Sequence, residues 1–504
     1  MRVLISLLLF NQLIFSANIL SNCIVAPDTR TFERFQFTFP EQIESEHFIV
    51  HFTTSNADSQ FVNEQWLNLQ CNFGYAQSVI ELAEYALAIF MEADWEMMPP
   101  DCDEGITDEE SPNHCNNFGG NALYDIYLAN DAVGLVAPEN PYPVEPYIGG
   151  FTSFMQVTPL GNEHTFVPDW SVHVIAHELH HAIQIRYGTS VSGEPGNYAY
   201  NGWLYEQTST YMENVIFPAS YHFLVMMGNC NITSPLTYPE ISIDSSVDIY
   251  QYRSALWQKF LVEAYGDSTI NRLIWEGFGL ETATGNPVNM FPIYESALQT
   301  VTDGVTTLGD AYQDYALWRY FTGSRSRPGE FFMQAASYCT ANLLAIEETS
   351  TTFPSEKGGA RLVKLLPYET NLLLASSAYD NLLVQHISFS EEDEILMSSI
   401  EVNGEESFFQ LYNPAGDNHA LLITSEYTGE PGEEIEFTLA NTVPFMEGDI
   451  TGDSMVNVQD IIVQINIILH QIDPTEYQWL AADLDENNVV DVLDVILLVN
   501  LILG

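Results

Sequence analysis

The spacing of hydrophobic and polar positions changes along the chain and divides it into predicted strands, helices and loops. Alternation with a period of two predicts half-buried strands, whereas a period near 3.6 predicts amphipathic helices. The alternating segments are residues 46–53, 122–129 and 150–158. The helical segments are residues 63–95, 170–187, 203–215, 254–265, 270–275 and 311–321. Residues 101–121 and 131–149 are predicted to be loops, since the first is acidic and the second rich in Pro and Gly.

The pattern changes near residue 355. From Arg361 to about Thr442, short alternating runs such as NLLVQHISF are separated by Gly, Pro, Asn and Asp, which is typical of antiparallel strands. From Glu447 onwards, two acidic loops are each followed by an apolar helical stretch. We therefore predict three parts: an α+β domain over residues 27–330, a small antiparallel β domain over 355–445, and a small all-α module over 446–504.

The first 22 residues are predicted to be a signal peptide. Arg2 precedes an apolar stretch from Val3 to Phe15 that is too short and too interrupted to span a bilayer well. Cys23 leaves a lipoprotein anchor open as an alternative. We expect a secreted or cell-surface protein with no membrane span after signal removal.

The charge of the chain is strongly negative. It has 69 Asp and Glu residues against 13 Lys and Arg, a formal net charge of -56. Nucleic acids and anionic membranes bind through Lys and Arg, so neither is expected as a partner. The carboxylates suit a salty habitat, where screening weakens their repulsion, and they favour divalent cations.

Export would permit disulfide bonds among the six cysteines. Cys102 and Cys115 bracket an acidic, Asn-rich loop and are the favoured pair. The spacing leaves the other pairings open. No two cysteines have the Cys-x-x-Cys spacing of a structural zinc site, so we do not expect a cysteine-bound metal.

The strongest chemical signal is His177-Glu178-x-x-His181 on the predicted helix over residues 170–187. Side chains four residues apart share one face of a helix, so both imidazoles can reach one ion. Zinc lowers the pKa of bound water, and Glu178 beside it can accept the proton. The competing interpretation is an ordinary helix with solvated histidines.

Catalytic zinc usually has three protein ligands, so a third ligand is expected from another segment. Glu206 on the next predicted helix is the favoured candidate, and Glu213, two turns further along a similar face, is the alternative. Either could instead belong to a solvated helix face. His173 and His180 are predicted to be supporting or surface groups.

These segments resemble the gluzincin group of zincin metallopeptidases, and more closely a family of exported bacterial metallopeptidases. The resemblance covers about residues 40–330 and implies an α+β zincin-like catalytic domain. It also implies zinc bound by His177, His181 and Glu206, with Glu178 as the catalytic residue. The segments that carry it are HFIVHFT, YDIYLAN, VIAHELHHAIQ, WLYEQTSTYME and DYALWRYFTGSR.

A peptidase also needs a hydrogen-bond donor near the developing oxyanion. Relatives of this class often use Tyr or His for this purpose. The tyrosines near the motif are open candidates, each also explained by simple packing: Tyr205, Tyr211, Tyr250 and Tyr252. The strand over residues 150–158 could present its backbone to an extended peptide.

The C-terminal segment contains two 12-residue acidic loops, 34 residues apart and each followed by an apolar helix. Calcium takes six to eight oxygen ligands, which such a loop supplies from positions 1, 3, 5, 7, 9 and 12. The first predicted calcium site consists of Asp449, Thr451, Asp453, Met455, Asn457 and Asp460. The second consists of Asp483, Asp485, Asn487, Val489, Asp491 and Asp494.

This paired pattern resembles a type I dockerin, which implies a calcium-stabilised module that docks on a cohesin-like partner. Two alternatives stay open: an acidic helical hairpin without calcium, and a sorting or surface-attachment tag.

Together these features predict a secreted zinc-dependent peptidase that hydrolyses a protein or peptide substrate and carries a calcium-stabilised docking module. One alternative is a catalytically inactive zincin-fold binding or adhesion protein anchored through its dockerin-like tail. Another is a zinc hydrolase that acts on something other than peptides.

Overall fold

The structure is a computed structural model, and its chain divides into two compact units. One unit is formed by the chain up to Asn342 with Glu356–Ala360 and Thr424–Glu433. The other is formed by Leu343–Ser355, Arg361–Ile423 and Glu434–Gly504. The predicted signal peptide and Cys23 lie outside the described residues. These are residues 34–62, 65–102, 105, 107–108, 114–129, 134–159, 170–189, 201–218, 221–284, 288–345, 351–356, 358–365, 369–389, 394–402, 404–412, 418–426, 434–441, 446–451, 455–472, 474, 476–485, 487 and 489–503.

The first unit contains a five-stranded mixed sheet and a separate two-stranded hairpin. The strands in chain order are β1 Glu41–Glu44, β2 Phe48–Phe52, β3 Ser59–Val62, β4 Gln65–Asn68, β5 Tyr124–Leu128, β6 Gly134–Pro141 and β7 Phe151–Val157. The sheet order is β1-β2-β5-β7-β6, and β3 pairs with β4. Strands β2, β5 and β7 are parallel, with antiparallel strands at both edges. All five residues of the central strand β5 are buried, as expected where both faces of a sheet are covered.

The described helices of this unit follow and interleave with the sheet. They are α1 Phe73–Glu92, α2 Trp170–Tyr187, α3 Gly202–Ile216, α4 Tyr221–Gly228, α5 Tyr250–Arg253, α6 Ala255–Tyr265, α7 Ile270–Thr282, α8 Met290–Val301 and α9 Leu308–Tyr320. The result is a mixed α/β unit, and its assignment to the zincin fold remains a prediction.

The structure corrects several predictions of local structure. The helix predicted over residues 63–95 begins only at Phe73, where the Asn72 side chain accepts from the backbone N–H of Tyr75. The residues before it form β3 and β4, in which Phe61 and Trp66 face each other across the hairpin. Helix α7 extends beyond 275, and α8 lies where no element was predicted.

The Pro- and Gly-rich segment predicted as a loop over 131–149 contains β6. Proline lacks a backbone N–H and is tolerated at a sheet edge, and the pairing of β6 with β7 shifts register between Pro138 and Pro141. As a result β7, predicted to offer its backbone to a peptide, is paired on both sides by β5 and β6. The edge strand is β6 instead.

Helices α2 and α3 are buried almost throughout. Every residue from His173 to Tyr187 is buried, as is every residue of α3 from Trp203 to Asn214. Buried polar groups must find partners inside the protein, because water cannot solvate them. Several polar side chains of these two helices accordingly pair with each other, and others find partners in neighbouring elements.

Two disulfide bonds lie in the first unit. Cys102 pairs with Cys115, the pair favoured from the sequence, at a Cα–Cα distance of 5.1 Å. Cys230 pairs with Cys339, 109 residues further along the chain. Cys71 is buried and has no disulfide partner among the described residues.

The second unit begins with a β-rich region, as the sequence predicted. Its strands are β8 Leu344–Ala345, β9 Thr351–Glu356, β10 Ala360–Lys364, β11 Glu369–Ala375, β12 Leu382–Phe389, β13 Leu396–Ile400, β14 Glu406–Tyr412, β15 Asn418–Ser425 and β16 Glu434–Asn441. They form one sheet of order β13-β12-β15-β10-β8 and another of order β14-β11-β16-β9. The first strands thus precede the predicted boundary at residue 355.

The C-terminal part of this unit is helical. Its helices are α10 Val458–Ile468, α11 Glu476–Ala482 and α12 Val492–Leu503. A small core formed by Ile450, Ile467, Ala481, Ala482 and Leu498 holds them together. Within the described part of the chain, no helix combines the length and the apolar character needed to cross a bilayer.

The longer disulfide should contribute strongly to stability, because it closes a loop of 109 residues. Cross-linking such a loop restricts the unfolded chain and is worth roughly 2–5 kcal/mol. We expect Cys230→Ser with Cys339→Ser to lower the unfolding free energy of the first unit by about that amount, measured by denaturant titration. The matched control, Cys102→Ser with Cys115→Ser, opens a shorter loop and should cost less. An equal or larger loss in the control would contradict the loop-length argument.

Candidate metal centre

Helices α2 and α3 bring the three predicted zinc ligands together. One atom each of His177, His181 and Glu206 lies within 4.8 Å of the others. Oε2 of Glu206 is 3.0 Å from Nε2 of His177 and 3.4 Å from Nε2 of His181. A tetrahedral zinc ion with bonds of about 2.0–2.1 Å holds its ligand atoms about 3.3 Å apart. The spacing of these donor atoms therefore fits a single ion.

The ring of His177 lies between two carboxylates. Its Nε2 faces Glu206, and its Nδ1–H donates to Oε1 of Glu213 at 2.7 Å. Burial lowers the pKa of His177, but the hydrogen bonds to Glu206 and Glu213 outweigh this and raise it to about 10. A histidine in such surroundings binds either a proton or a metal ion at Nε2. With Nδ1–H directed at Glu213, Nε2 is the nitrogen available to a metal.

Glu213, the alternative third ligand, thus lies on the other nitrogen of His177. It orients the ring in the way that carboxylates commonly orient metal-binding histidines. Glu206 is the acid that faces both Nε2 atoms. Burial raises the pKa of Glu206, but the charges and hydrogen bonds of His181 and His177 lower it to about 2. It is therefore an ionised donor.

Gln184 fixes the tautomer of His181. The Nε2 group of Gln184 donates to the backbone carbonyl of Tyr205 at 3.1 Å, which orients its amide so that Oε1 faces Nδ1 of His181 at 2.7 Å. Because an amide oxygen only accepts, Nδ1 of His181 carries the hydrogen. Burial lowers the pKa of His181, which favours the neutral ring. Its Nε2 lone pair then points towards the Glu206 carboxylate, an arrangement that a cation between them would stabilise.

Glu178, the predicted catalytic residue, is completely buried. Strand β6 passes close to it at Gly134, where a Cβ atom would lie 2.5 Å from Cγ of Glu178. Only glycine leaves room for the carboxylate at this point. The edge strand of the sheet thus runs directly beside the His-Glu helix.

His173 and His180 are both buried, so neither is a surface group. His180 lies among Phe90, Trp95 and Trp275, and its Nδ1 is 3.0 Å from Oγ of Ser209. His173 stacks on the ring of His222 of α4, a residue that sequence reasoning had not singled out.

Of the four candidate tyrosines, Tyr252 contacts a predicted zinc ligand. Its ring stacks on that of His177 at 6.0 Å between centroids. Tyr205 instead donates to the carbonyl of Gly188, and Tyr250 donates to that of Ile241. Tyr252 lies on the short helix α5, which follows Ile249.

The backbone before this helix is strained. Ile249 has a φ of 58°, a left-handed conformation that is rare for a β-branched residue. Such strain costs about 1–3 kcal/mol and is often found at functional sites.

The two predicted calcium loops each close around their last aspartate. In the second loop, Oδ1 of Asp494 accepts from the backbone N–H groups of Leu484 and Asp485, and Oδ2 accepts from that of Asp491. One oxygen each of Asp483, Asp485 and Asp494 lies within 4.8 Å of the others.

The first loop is closed in the same way. Asp460 accepts from the backbone N–H groups of Thr451 and Asn457. Asp453, the predicted ligand at loop position 5, lies outside the described residues.

Two segments of the chain match known families. Residues 165–294, which include α2 and α3, match a family of unknown function, DUF6055. Residues 447–503 match the dockerin type I domain. The C-terminal module is a type I dockerin. No curated protein shows a significant match to the chain.

The dockerin match confirms the predicted docking module and its class of ligand, because type I dockerins bind calcium. It also indicates a cohesin-bearing partner. The match to a family of unknown function leaves the activity of the first unit open.

The contact between Gln184 and His181 should control metal affinity. We expect Gln184→Leu to weaken zinc binding by about 10–100-fold, because His181 loses the acceptor that fixes its tautomer. Competition with a chromophoric chelator measures the affinity. Gln258→Leu is the matched control, since Gln258 is buried and hydrogen-bonded to Gln207 and Tyr294. Unchanged zinc affinity in a folded Gln184→Leu variant would refute the role assigned to Gln184.

In the dockerin, Asp494 should be essential to one calcium site only. We expect Asp494→Ala to reduce bound calcium from two ions per chain to one, because this residue closes the second loop and supplies its last ligand. Calcium titration of the full chain with a fluorescent indicator measures the stoichiometry. The exposed Asp380→Ala serves as control and should retain two ions. Two ions in the Asp494→Ala variant would exclude Asp494 as a required ligand.

Proposed function

We propose that the first unit is a secreted zinc-dependent peptidase of the zincin type. The observation that carries the proposal is the convergence of His177, His181 and Glu206, with the tautomers of both histidines fixed by neighbours. Two neutral imidazoles and one carboxylate are the ligand set of several catalytic zinc sites. The set leaves a fourth position for water or substrate.

Imidazole and carboxylate donors suit zinc better than calcium or magnesium, which prefer oxygen ligands alone. Bound zinc would polarise a substrate carbonyl and lower the pKa of a water molecule. His177, His181 and Glu206 would hold it. The buried surroundings exclude bulk water, which strengthens each of these electrostatic interactions.

Side chains of the protein would transfer the proton during hydrolysis. Glu178, adjacent to His177 on α2, would accept a proton from the attacking water and later deliver it to the leaving amine. Gly134 fixes how closely β6 approaches this carboxylate. Tyr252, whose ring stacks on that of His177, would be the tyrosine that donates to the developing oxyanion.

An extended substrate would lie along the sheet edge nearest to Glu178. That edge is β6, so a peptide would add to β6 rather than to β7. Pairing through backbone hydrogen bonds holds a peptide in a defined register. Such pairing would deliver a peptide carbonyl to the His-Glu helix.

The dockerin would attach this peptidase to a cohesin-bearing partner. Dockerin-containing proteins are typically extracellular or at the cell surface, which agrees with the predicted export signal. Large apolar side chains are exposed on the dockerin helices and would meet the partner, among them Val458, Ile462, Val492, Leu493 and Ile496. Docking would place proteolysis at a scaffold rather than in free solution.

Replacement of Glu178 tests the proposal. We expect Glu178→Gln to lower kcat/KM for a denatured protein substrate by about 10²–10⁴-fold, because an amide cannot accept the proton. Zinc content, measured by mass spectrometry, should not change, since Glu178 is not assigned as a ligand. Glu81→Gln, an exposed substitution on α1, should behave like the wild type. A wild-type protein that binds zinc but cleaves no peptide in a library digest would point to a binding protein or another hydrolase.

A further inference from the structure

A second group of metal-binding side chains lies on the other side of the His177 ring. One atom each of His173 on α2, Glu213 on α3 and His222 on α4 lies within 4.8 Å of the others. His173 and Glu213 are each 2% exposed, and the side chain of His222 is 12% exposed. We propose that these three residues bind a second divalent transition-metal ion.

The chemistry of the donors supports a transition metal. Two imidazoles and a carboxylate suit zinc, copper, iron and nickel, whereas calcium and magnesium prefer oxygen donors. The three side chains come from three different helices. An ion held by them would cross-link α2, α3 and α4.

The two metal sites repeat one pattern along a pair of helices. His173, His177 and His181 are spaced four residues apart and share one face of α2, while Glu206 and Glu213 are two turns apart on α3. The carboxylate of Glu206 faces the rings of His177 and His181. Glu213 meets His177 and the group of His173 and His222. In the second site, His222 supplies the second imidazole, as His181 does in the first. The rings of His173 and His222 are stacked at 13°, however, whereas those of His177 and His181 are perpendicular at 89°.

Buried charge provides a further argument. The ion pairs found for Glu213 are with Nδ1 of His177 at 2.7 Å and with Nδ1 of His222 at 2.6 Å. A buried carboxylate is costly unless a positive charge compensates it. If Nε2 of His177 binds zinc, as proposed above, that ring stays neutral. The zinc ion would compensate part of the charge of Glu213 through that ring, and a proton on His222 or a second ion beside His173 and His222 would compensate the rest.

The distance between Glu213 and His222 defines the competing explanation. A separation of 2.6 Å is that of a hydrogen bond, whereas two ligands of one tetrahedral ion lie about 3.3 Å apart. Binding of an ion therefore requires the ring of His222 to move away from Glu213 and to turn, because it is stacked on the ring of His173 at an interplanar angle of 13° and both rings must direct a nitrogen at the ion. His222 can make this change most easily because it is the least buried of the three. A hydrogen-bonded network without metal is the alternative.

The test counts transition-metal ions in the full-length protein. Metal-free protein is saturated with calcium, so that the oxygen-only dockerin loops are occupied, and is then titrated with Co²⁺. Visible absorption follows the titration, and mass spectrometry of the dialysed protein counts the ions. We expect two Co²⁺ per chain in the wild type, one in His222→Gln and one in His181→Gln.

His47→Gln is the matched control. His47 is a half-buried histidine of the same unit whose Nδ1 is 2.8 Å from Oε2 of Glu84, but no second histidine among the described residues joins this pair. The variant should therefore retain two Co²⁺. Circular dichroism confirms that each variant is folded. The number of ions bound by the wild type tests the second site without any substitution.

The outcomes separate this inference from the proposed function. One ion in the wild type, retained in His222→Gln and lost in His181→Gln, would overturn the second site and leave the zinc site intact. Two ions in both the wild type and His222→Gln would also overturn it, because the second ion would lie elsewhere. No bound Co²⁺ in the wild type would overturn both proposals.

Discussion

The burial of α2 against α3 is the constraint on which the candidate centre depends. From His173 to Tyr187, no residue of α2 is exposed to water, so each of its polar groups must be satisfied by a neighbour. Glu206, Glu213 and Ser209 on α3 meet the histidines of α2, and Gln184 ties His181 to the α3 backbone. These contacts fix which nitrogen of each ring can bind a metal. The packing of two helices therefore determines the geometry of the candidate metal centre.

The elements that position the centre could be predicted from the sequence because their signals are local. Residues 122–129 alternate clearly, and α2 has an uninterrupted helical period. Predictions failed where tertiary contacts decide the structure. Trp66 lies inside the helix predicted over residues 63–95, but it pairs with Phe61 across a hairpin before Asn72 caps α1. Strand β6 exists because its prolines lie at a sheet edge, which composition alone does not reveal.

The residues of the candidate site show the same contrast between local signals and tertiary contacts. His177 and His181 follow from helical geometry, and Glu206 from the need for a third ligand on a neighbouring helix. The contact between Gln184 and His181 could also have been predicted from helical geometry, because side chains three residues apart are neighbours on a helix surface. His222 was not, since only the packing of α4 brings it to Glu213. Sequence spacing predicts partners within a helix, and folding determines those between helices.

The composition of the chain explains why its buried acids rely on histidines and backbone N–H groups. With 69 acidic residues and 13 Lys and Arg, few carboxylates can be paired with a permanent positive charge. Arg34 forms ion pairs with three acidic side chains of the first unit. The ion pairs of Glu206 and Glu213 are with histidines, and Asp460 and Asp494 accept from backbone N–H groups. Imidazoles and closed acidic loops both become more stable when a divalent ion binds. Catalysis and docking would therefore share a dependence on metal ions that follows from the charge of the chain.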